Sequence, residues 1–114
     1  MILDEEYGIL HVVNYGGGSY VAYSVDTTNG EILEEIYFED YGKGSNVDPD
    51  RQADAHAHMA FFINEFIYVV DLGSDEIHHY KVKSVSKDST ITVGVHNNVI
   101  TIFTDFYVRN ILFI

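Results

Sequence analysis

The sequence predicts an all-β fold of small antiparallel sheets, and three observations support this class. Residue types that favour strands are abundant, since the 114 residues include 9 Tyr and 7 Phe but only 1 Pro. Short apolar segments alternate with turns rich in Gly, Asn and Asp. One strand–turn–strand pattern also occurs twice. A chain of this length predicts one domain at most, with a modest core.

The first half of the chain predicts three strands. Residues 10–15 are mostly apolar, and the run of residues 16–19 (Gly-Gly-Gly-Ser) ends that strand. Residues 20–25 follow as a second strand, closed by a turn over residues 26–30 that contains an Asn-Gly pair. Residues 31–38 mix acidic with apolar side chains. We therefore expect an exposed outer strand whose charges discourage edge-to-edge pairing.

The second half begins with a predicted loop over residues 41–55, which are crowded with Gly, Ser, Asn, Asp and Pro. Strands are expected again over residues 56–63 and 65–71. After a Gly-Ser-Asp turn, another strand is expected over residues 76–82, and residues 88–95 form a last candidate. The second half therefore repeats the order of elements seen in the first.

The repeat places residues 10–16 over residues 67–73 and continues without a gap as far as Val25 over Val82. Its offset of about 57 residues exceeds the roughly 40–45 residues of a typical propeller blade, and the loop over residues 41–55 accounts for the excess. Each unit is a strand, a tight Gly turn, a strand and an outer strand, which is typical of a β-propeller blade. Periodicity alone favours a propeller and an antiparallel sandwich about equally.

Charge and composition exclude several classes of function. The net charge of -12 comes from 18 acidic and 6 basic side chains, so a nucleic-acid interface is not expected, because phosphate binding needs clustered Lys and Arg. No apolar run reaches the roughly 18 residues of a membrane span, and the acidic start is not a secretory signal. Cysteine is absent, which excludes disulfides and thiol chemistry and is compatible with the cytoplasmic location that we predict.

Three segments carry a family resemblance. They are Asn14-Tyr15-Gly16-Gly17-Gly18-Ser19, then Asp48-Pro49-Asp50-Arg51-Gln52 leading to Ala55-His56-Ala57-His58, then Tyr68-Val69-Val70-Asp71-Leu72-Gly73-Ser74-Asp75. In this order and spacing, over roughly residues 9–83, they resemble the lactonase family of seven-bladed β-propellers. The resemblance implies antiparallel propeller blades, about two and a half blades of a seven-bladed ring.

The resemblance implies a fragment of a lactone hydrolase, similar to 6-phosphogluconolactonase, that acts on a small-molecule sugar lactone by general acid/base catalysis without a cofactor. A lactonizing cycloisomerase of the muconate type and an inactive truncated propeller fragment are the alternatives. The Gly-Pro-Arg-His and Asn-Glu motifs of the family do not occur after Val82. The Arg and Glu that complete the family's site are therefore missing, and we expect this chain alone to be a weak or inactive catalyst.

His56 and His58 are the candidate catalytic pair. Residues two apart on a strand point to the same face, so the two imidazoles could converge on one ligand, and histidine moves protons near neutral pH. The alternative is that both histidines pack and hydrogen-bond beside the loop. The resemblance implies that His58 is the catalytic acid/base residue and that His56 and Arg51 bind substrate.

Other motifs have simpler explanations. Arg51 could instead fix the loop by pairing with Asp48, Asp50 or Asp54, and Asn14 and Asp71 are expected to hydrogen-bond the Gly turns that follow them. No metal site is expected, because Glu65 is too far from the His-x-His pair for the cupin spacing. The Gly runs lack the Walker pattern and are read as turns.

The chain divides into a partial propeller domain over residues 1–95 and a divergent apolar tail over residues 96–114. Either a divergent strand or a change of reading frame near residues 84–95 would explain that tail. Exposed blade edges and the apolar tail are expected to favour self-association.

Overall fold

A computed structural model describes residues 1–83 and 85–92, and within them it shows two four-stranded antiparallel sheets and no helix. The strands of the first sheet, in spatial order, are β1 (Ile2–Asp4), β2 (Ile9–Asn14), β3 (Ser19–Asp26) and β4 (Glu31–Asp40). The strands of the second sheet are β5 (Ala57–Ile63), β6 (Phe66–Asp71), β7 (Glu76–Lys81) and β8 (Ser86–Thr92). The predicted all-β antiparallel class is confirmed.

The strands lie close to their predicted positions, with one omission. The three-residue strand β1 was not predicted, because so short a segment shows no periodicity against its acidic surroundings. The last predicted strand, over residues 88–95, is confirmed over residues 88–92 as part of β8, which begins two residues earlier, and residues 93–95 lie outside the described residues. The boundary at residue 95 and the tail over residues 96–114 lie outside the described residues.

The internal repeat is confirmed in atomic detail. Strands β2 and β6 occupy equivalent positions of the two sheets, and each pairs with the strand that follows it along its full length. Gly18 has a φ of 60° in the first hairpin, and Asp75 has a φ of 58° at the equivalent point of the second. The carbonyl oxygens of Gly8 and Glu65, also equivalent, accept hydrogen bonds from Val25 N and Val82 N at 2.8 and 2.9 Å. The two sheets are therefore two copies of one unit.

The core lies between the two sheets. Tyr20 of β3 and Tyr80 of β7 are fully buried and meet with their ring centroids 4.6 Å apart. Ala22 and Ala57 are also fully buried, and their small side chains leave space for those rings. Burying an aromatic ring of this size stabilises the fold by about 2–3 kcal/mol, so the tyrosine pair is a main contact between the sheets.

A polar cluster extends this contact toward the outer strands. Glu39 Oε2 of β4 accepts hydrogen bonds from Tyr80 Oη at 2.7 Å and from Tyr37 Oη at 2.9 Å, and Lys87 of β8 forms an ion pair with Glu39 Oε1. The hydroxyls of Tyr41 and Tyr80 lie 2.7 Å apart. Burial acts to raise the pKa of Glu39, but the hydrogen bonds from Lys87 and the two tyrosines outweigh it and leave that pKa below its usual value. The carboxylate therefore stays charged and joins the two sheets.

Strand β4 is the exposed outer strand that the sequence predicted. Its first six residues are all exposed, and four of its large apolar side chains, Ile32, Leu33, Ile36 and Phe38, are between 40% and 58% exposed. No strand pairs with its outer edge within the described part of the chain. The structure also contains, among those residues, no helix that is long and apolar enough to cross a membrane.

Candidate functional site

The long loop over residues 41–55 is fixed by one buried side chain. Gln52 is fully buried, and its Nε2 donates to Leu72 O and to Asp75 Oδ1, both at 2.9 Å, while its Oε1 accepts from Asp48 N at 3.0 Å. Ser45 Oγ donates to the other oxygen of Asp75 at 2.7 Å. The loop is therefore attached to the turn between β6 and β7, and this attachment sets the path of the chain into β5.

Two glycines allow the end of the loop to pass against both Gly turns. A Cβ atom at Gly18 would lie 2.3 Å from Ala55 O, and a Cβ atom at Gly73 would lie 1.9 Å from Asp54 O. Any side chain at these positions would overlap the loop backbone. The Gly turns of the two sheets therefore meet residues 54–56, and the loop delivers His56 between them.

His56 is held by three contacts. Its backbone N donates to Asp71 Oδ1 at 2.7 Å, and its Nδ1 lies 2.9 Å from the carbonyl oxygen of Tyr15. Its imidazole also stacks on the Tyr15 ring, with the centroids 4.7 Å apart and the planes 19° from parallel. Tyr15 belongs to the Gly turn of the first sheet and Asp71 to the second sheet, so both sheets position this histidine.

His58 contacts the same tyrosine from another direction. Its imidazole meets the Tyr15 ring edge-on, with centroids 5.5 Å apart and planes at 80°. The ladder between β5 and β6 has a register shift between Ala57 and Met59, so His58 lies at a β-bulge. The two imidazoles thus converge on one ring. The bulge and the loop bring them together, rather than the regular strand alternation from which convergence was predicted.

The charge state of His58 follows from its surroundings. Burial lowers the pKa of His58, and a backbone hydrogen bond only partly opposes this effect. The imidazole is therefore neutral at neutral pH, and a neutral imidazole can accept a proton. This is the protonation state that a general base needs.

Asp71 connects the Gly turn of the second sheet with the histidine segment. It is fully buried, and its Oδ1 accepts from His56 N at 2.7 Å, from Gly73 N at 2.9 Å and from Ser74 N at 3.2 Å. Burial acts to raise the pKa of Asp71, but hydrogen bonds from His78, His56 and Ser74 outweigh it and lower that pKa. The predicted turn role of Asp71 is confirmed. The hydrogen bond that Asp71 accepts from His56 N was not predicted from the sequence.

Asn14 occupies the equivalent position in the first sheet. Its Nδ2 donates to Ser19 Oγ at 3.0 Å, across the Gly turn. The predicted turn role of Asn14 is therefore confirmed as well.

Arg51 is exposed and lies beside the buried Gln52 in the loop. Its backbone N donates to Asp48 O at 3.1 Å, but its guanidinium forms no ion pair with any residue in 1–83 or 85–92. The alternative hypothesis, that Arg51 fixes the loop through an ion pair, is therefore not supported in this part of the chain. Lys43 makes such a pair instead, with Asp54 at 2.8 Å. Contact between Arg51 and a substrate stays a prediction.

Sequence reasoning missed two contributors to this site, Tyr15 and the side chain of Gln52. Both lie inside segments that carried the family resemblance, but neither residue type by itself indicates an anchoring role. The position of Tyr15 in the repeat could have indicated its role, since Tyr15 follows Asn14 where Leu72 follows Asp71. The first Gly turn therefore carries an aromatic residue at a position where the second carries leucine.

The described residues include no group of three or more His, Cys, Asp or Glu side chains that could hold a metal ion. A cavity of about 240 Å³ lies at the other end of the strands, where Tyr7 of the β1–β2 turn faces Phe62 and Asn64 of the β5–β6 hairpin. Strand β5 runs from the histidines to this hairpin, so the cavity and the histidine pair occupy opposite ends of the sheets.

Comparisons with known proteins agree with this architecture. The family described as Lactonase, 7-bladed beta-propeller matches residues 1–99, which extends beyond the resemblance over residues 9–83 in both directions. A protein of Arthroderma benhamiae named "Probable 6-phosphogluconolactonase" is 41% identical over 85 residues, which are 71% of this chain and 21% of that protein. The chain thus spans about a fifth of the length of this curated relative.

Two crystal structures show the same fold at low sequence identity. A protein from Lactobacillus plantarum aligns with a TM-score of 0.68 at 23% identity, covering 81% of this chain and 27% of its own. A candidate 6-phosphogluconolactonase from Bacteroides fragilis aligns with a TM-score of 0.66 at 20% identity, covering 81% of this chain and 29% of its own. Together with the repeated four-stranded sheets, the family match shows that this chain belongs to the lactonase family of seven-bladed β-propellers and that its sheets are propeller blades.

Proposed function

We propose that the chain is part of a lactone hydrolase similar to 6-phosphogluconolactonase, which opens a sugar lactone by general acid/base catalysis. The observation that carries this proposal is the convergence of His56 and His58 on the ring of Tyr15, within residues that match the lactonase family. The name of the Arthroderma benhamiae relative, at 41% identity, supports the choice of a sugar lactone.

In this proposal His58 is the acid/base residue. Its neutral imidazole removes a proton from water while the water oxygen attacks the lactone carbonyl. The protonated imidazole then gives that proton to the ring oxygen as the carbon–oxygen bond breaks, so the histidine ends neutral. The products are a carboxyl group and a free hydroxyl, and no cofactor is needed.

His56 and Arg51 are proposed to bind the substrate. A guanidinium offers a fork of donors that suits an anionic group such as a phosphate ester. The exposed and unpaired state of Arg51 in this part of the chain leaves those donors available. We also propose a cytoplasmic location, which the absence of cysteine supports.

The rate of this chain by itself is expected to be low. It spans about a fifth of its curated relative, so full activity is proposed for a whole seven-bladed protein. A single general base contributes about 10²–10⁴-fold over the uncatalysed reaction. An inactive fragment therefore stands as the alternative outcome.

The test is hydrolysis of 6-phosphoglucono-1,5-lactone and of glucono-1,5-lactone by the 114-residue chain at neutral pH, above the spontaneous rate. We expect His58→Ala to remove at least about 100-fold of the enhancement. The matched control is His79→Ala, because His79 contacts the rings of Phe66 and Tyr68 away from Tyr15. Equal loss in both variants would reject the role proposed for His58, and no enhancement in the unmodified chain would favour the alternative of an inactive fragment.

A further inference from the structure

We propose that His78 is a positioning residue, whose Nε2–H group stabilises the buried carboxylate of Asp71 and thereby fixes the backbone of the histidine segment over residues 56–58. His78 takes no part in the proton transfer proposed for this site, and it acts on the segment only through Asp71. For its catalytic consequence alone, the inference rests on the proposed lactone hydrolysis.

His78 lies in a buried position between charged side chains. It is 2% exposed, and its imidazole stacks on the Tyr41 ring with the centroids 3.6 Å apart. Its Nε2 lies 3.6 Å from Asp71 Oδ2 and 3.7 Å from Glu76 Oε2. Within residues 1–83 and 85–92, Asp71 Oδ2 accepts no hydrogen bond from any other group. The imidazole nitrogen is therefore the polar group that faces the second oxygen of this carboxylate.

The two oxygens of Asp71 have different surroundings. Oδ1 accepts hydrogen bonds from three backbone N–H groups, those of His56, Gly73 and Ser74. Oδ2 is equally buried, and a buried carboxylate oxygen is unfavourable unless a donor or a positive charge faces it. Nδ1 of His78 is also buried and has no hydrogen-bond partner in the described part of the chain. A hydrogen on Nε2 thus gains an acceptor, whereas a hydrogen on Nδ1 alone would gain none.

The internal repeat supplies a comparison for this cluster. Three positions carry uncharged residues in the first blade and titratable residues in the second, namely Asn14, Ser19 and Val21 against Asp71, Glu76 and His78. In the first blade, the amide of Asn14 donates directly to the hydroxyl of Ser19 at 3.0 Å. In the second blade two carboxylates occupy these directly paired positions, where like charges destabilise a sheet. Histidine replaces valine in the blade that carries these carboxylates, and its Nε2 faces both of them.

The charge on Asp71 matters because the histidine segment is attached to it. His56 N donates to Asp71 Oδ1 at 2.7 Å, and an ionised carboxylate is a stronger acceptor than an amide oxygen. Strand β5 begins at the next residue, and His58 lies at the β-bulge near its start. Loss of the His78 imidazole would therefore weaken the attachment of His56 and displace His58 from the ring of Tyr15.

The hydrogen on Nε2 is tested by long-range ¹H–¹⁵N spectra of the 114-residue chain labelled with ¹⁵N-histidine at neutral pH. We expect Nε2 of His78 to carry a hydrogen, and we expect its resonance to move more in Asp71→Asn than in Glu76→Gln. A pyridine-type Nε2, which carries no hydrogen, would overturn the inference whether or not the chain hydrolyses lactones. A larger response to Glu76→Gln would assign the hydrogen to Glu76 and would also overturn it.

The attachment of His56 is tested by amide hydrogen exchange. We expect the His56 N–H to exchange about tenfold faster in His78→Val, the effect of weakening one hydrogen bond to a charged acceptor, while amides of the β2–β3 ladder keep their rates. His78→Gln, whose amide nitrogen can take the place of Nε2, should restore most of the protection. The matched control is His79→Val on the opposite face of β7, which should leave the rate unchanged. An unchanged rate in His78→Val, equal acceleration of all amides, or no restoration by His78→Gln would overturn the inference.

A double variant extends the test to the case in which His78→Val does not fold. Asp71→Asn combined with His78→Val reproduces the uncharged pair of the first blade, Asn14 with Val21. We expect the two changes together to raise the unfolding constant at least about fivefold less than the product of their separate effects, because no buried charge remains. A folded double variant beside an unfolded His78→Val would show the same coupling. Effects that simply multiply would overturn the pairing of His78 with Asp71.

The catalytic consequence has a spectroscopic readout as well. The Tyr15 ring shifts the imidazole proton resonances of His58, and this shift should shrink in His78→Val and return in His78→Gln. Any hydrolysis should decrease and return in the same order. Hydrolysis that depends on His58 but is equal in His78→Val and in the unmodified chain would reject this inference alone. Absence of hydrolysis with the spectroscopic differences intact would count against the proposed function alone.

Discussion

His11 is a fully buried histidine between the two sheets, and its ionisation affects the free energy of unfolding. Its Nδ1 lies 2.7 Å from the hydroxyl of Tyr20, and the ring of Phe62 from β5 meets its own ring edge-on at 5.7 Å. Burial lowers the pKa of His11 to about 4, an effect that the negative charge of Asp4 only partly opposes. The imidazole is therefore neutral in the folded chain at neutral pH.

This lowered pKa predicts a loss of stability in mild acid. An unfolded histidine titrates near pH 6.5, so between that pH and about 4 the unfolded chain binds a proton that folded His11 does not. The free energy of unfolding is therefore expected to fall as the pH falls through this range, by at most about 3 kcal/mol. Urea unfolding at several pH values measures this change in the free energy of unfolding.

The control for this prediction is His11→Gln, which can keep a hydrogen bond to Tyr20 but does not titrate. The pKa of His58 is also lowered by burial and contributes with the same sign, so the variant is expected to reduce the pH dependence rather than remove it. An unchanged dependence in His11→Gln would contradict the assignment to His11.

At the scale of elements, the loop over residues 41–55 and the two Gly turns act as one unit. Gly18 has a positive φ of 60°, and a Cβ there would lie 2.3 Å from Ala55 O. Gly16, in the same turn, has no atom within 4 Å of its Cβ position. Only one of these two glycines is therefore required by the packing of the loop.

We expect Gly18→Ala to destabilise the chain by about 2 kcal/mol or more, because the left-handed backbone and the overlap with Ala55 both oppose a side chain. Gly16→Ala is the matched control and is expected to change stability by less than about 0.5 kcal/mol. Chemical denaturation compares the two variants. Equal losses of stability in the two variants would show that contact with the loop is not the reason that glycine is needed at position 18.

At the scale of the whole molecule, two blades leave apolar surface uncovered. Strand β4 carries large exposed apolar side chains, among them Leu33 at 58% exposure, and its outer edge is unpaired in the described part of the chain. The net charge of -12 opposes contact between copies. We propose that copies of the chain associate through these blade edges when salt screens the repulsion.

Sedimentation velocity is expected to show a mass that rises above 12.9 kDa with protein concentration and with ionic strength. Leu33→Glu should weaken this association, because it removes apolar surface from the strand and adds charge. Val47→Glu makes the same type of change in the loop, where the valine is 46% exposed, and should weaken it less. A mass of 12.9 kDa under every condition would contradict the proposal.

The local elements could be predicted because strands and turns depend on short-range pattern. The β2–β3 hairpin follows from an apolar run and a run of glycines, and the β6–β7 hairpin follows from the same pattern in repeat. The site was only partly predictable. His56 and His58 stand out by residue type. The bulge at His58 and the hydrogen bond from His56 N to the side chain of Asp71 are features that no periodicity reveals.

The sequence by itself determined that this chain is built of antiparallel strands, that its units repeat and that it resembles seven-bladed lactonases. Only the tertiary structure decided which side chains meet. Tyr20 and Tyr80 are buried while Tyr23 and Tyr68 are half-buried, although all four lie on strands of the two blades. The Tyr15 carbonyl that fixes His56 is 41 positions away along the chain. Such contacts arise from the packing of one blade on the next, and that packing depends on long-range geometry rather than on local pattern.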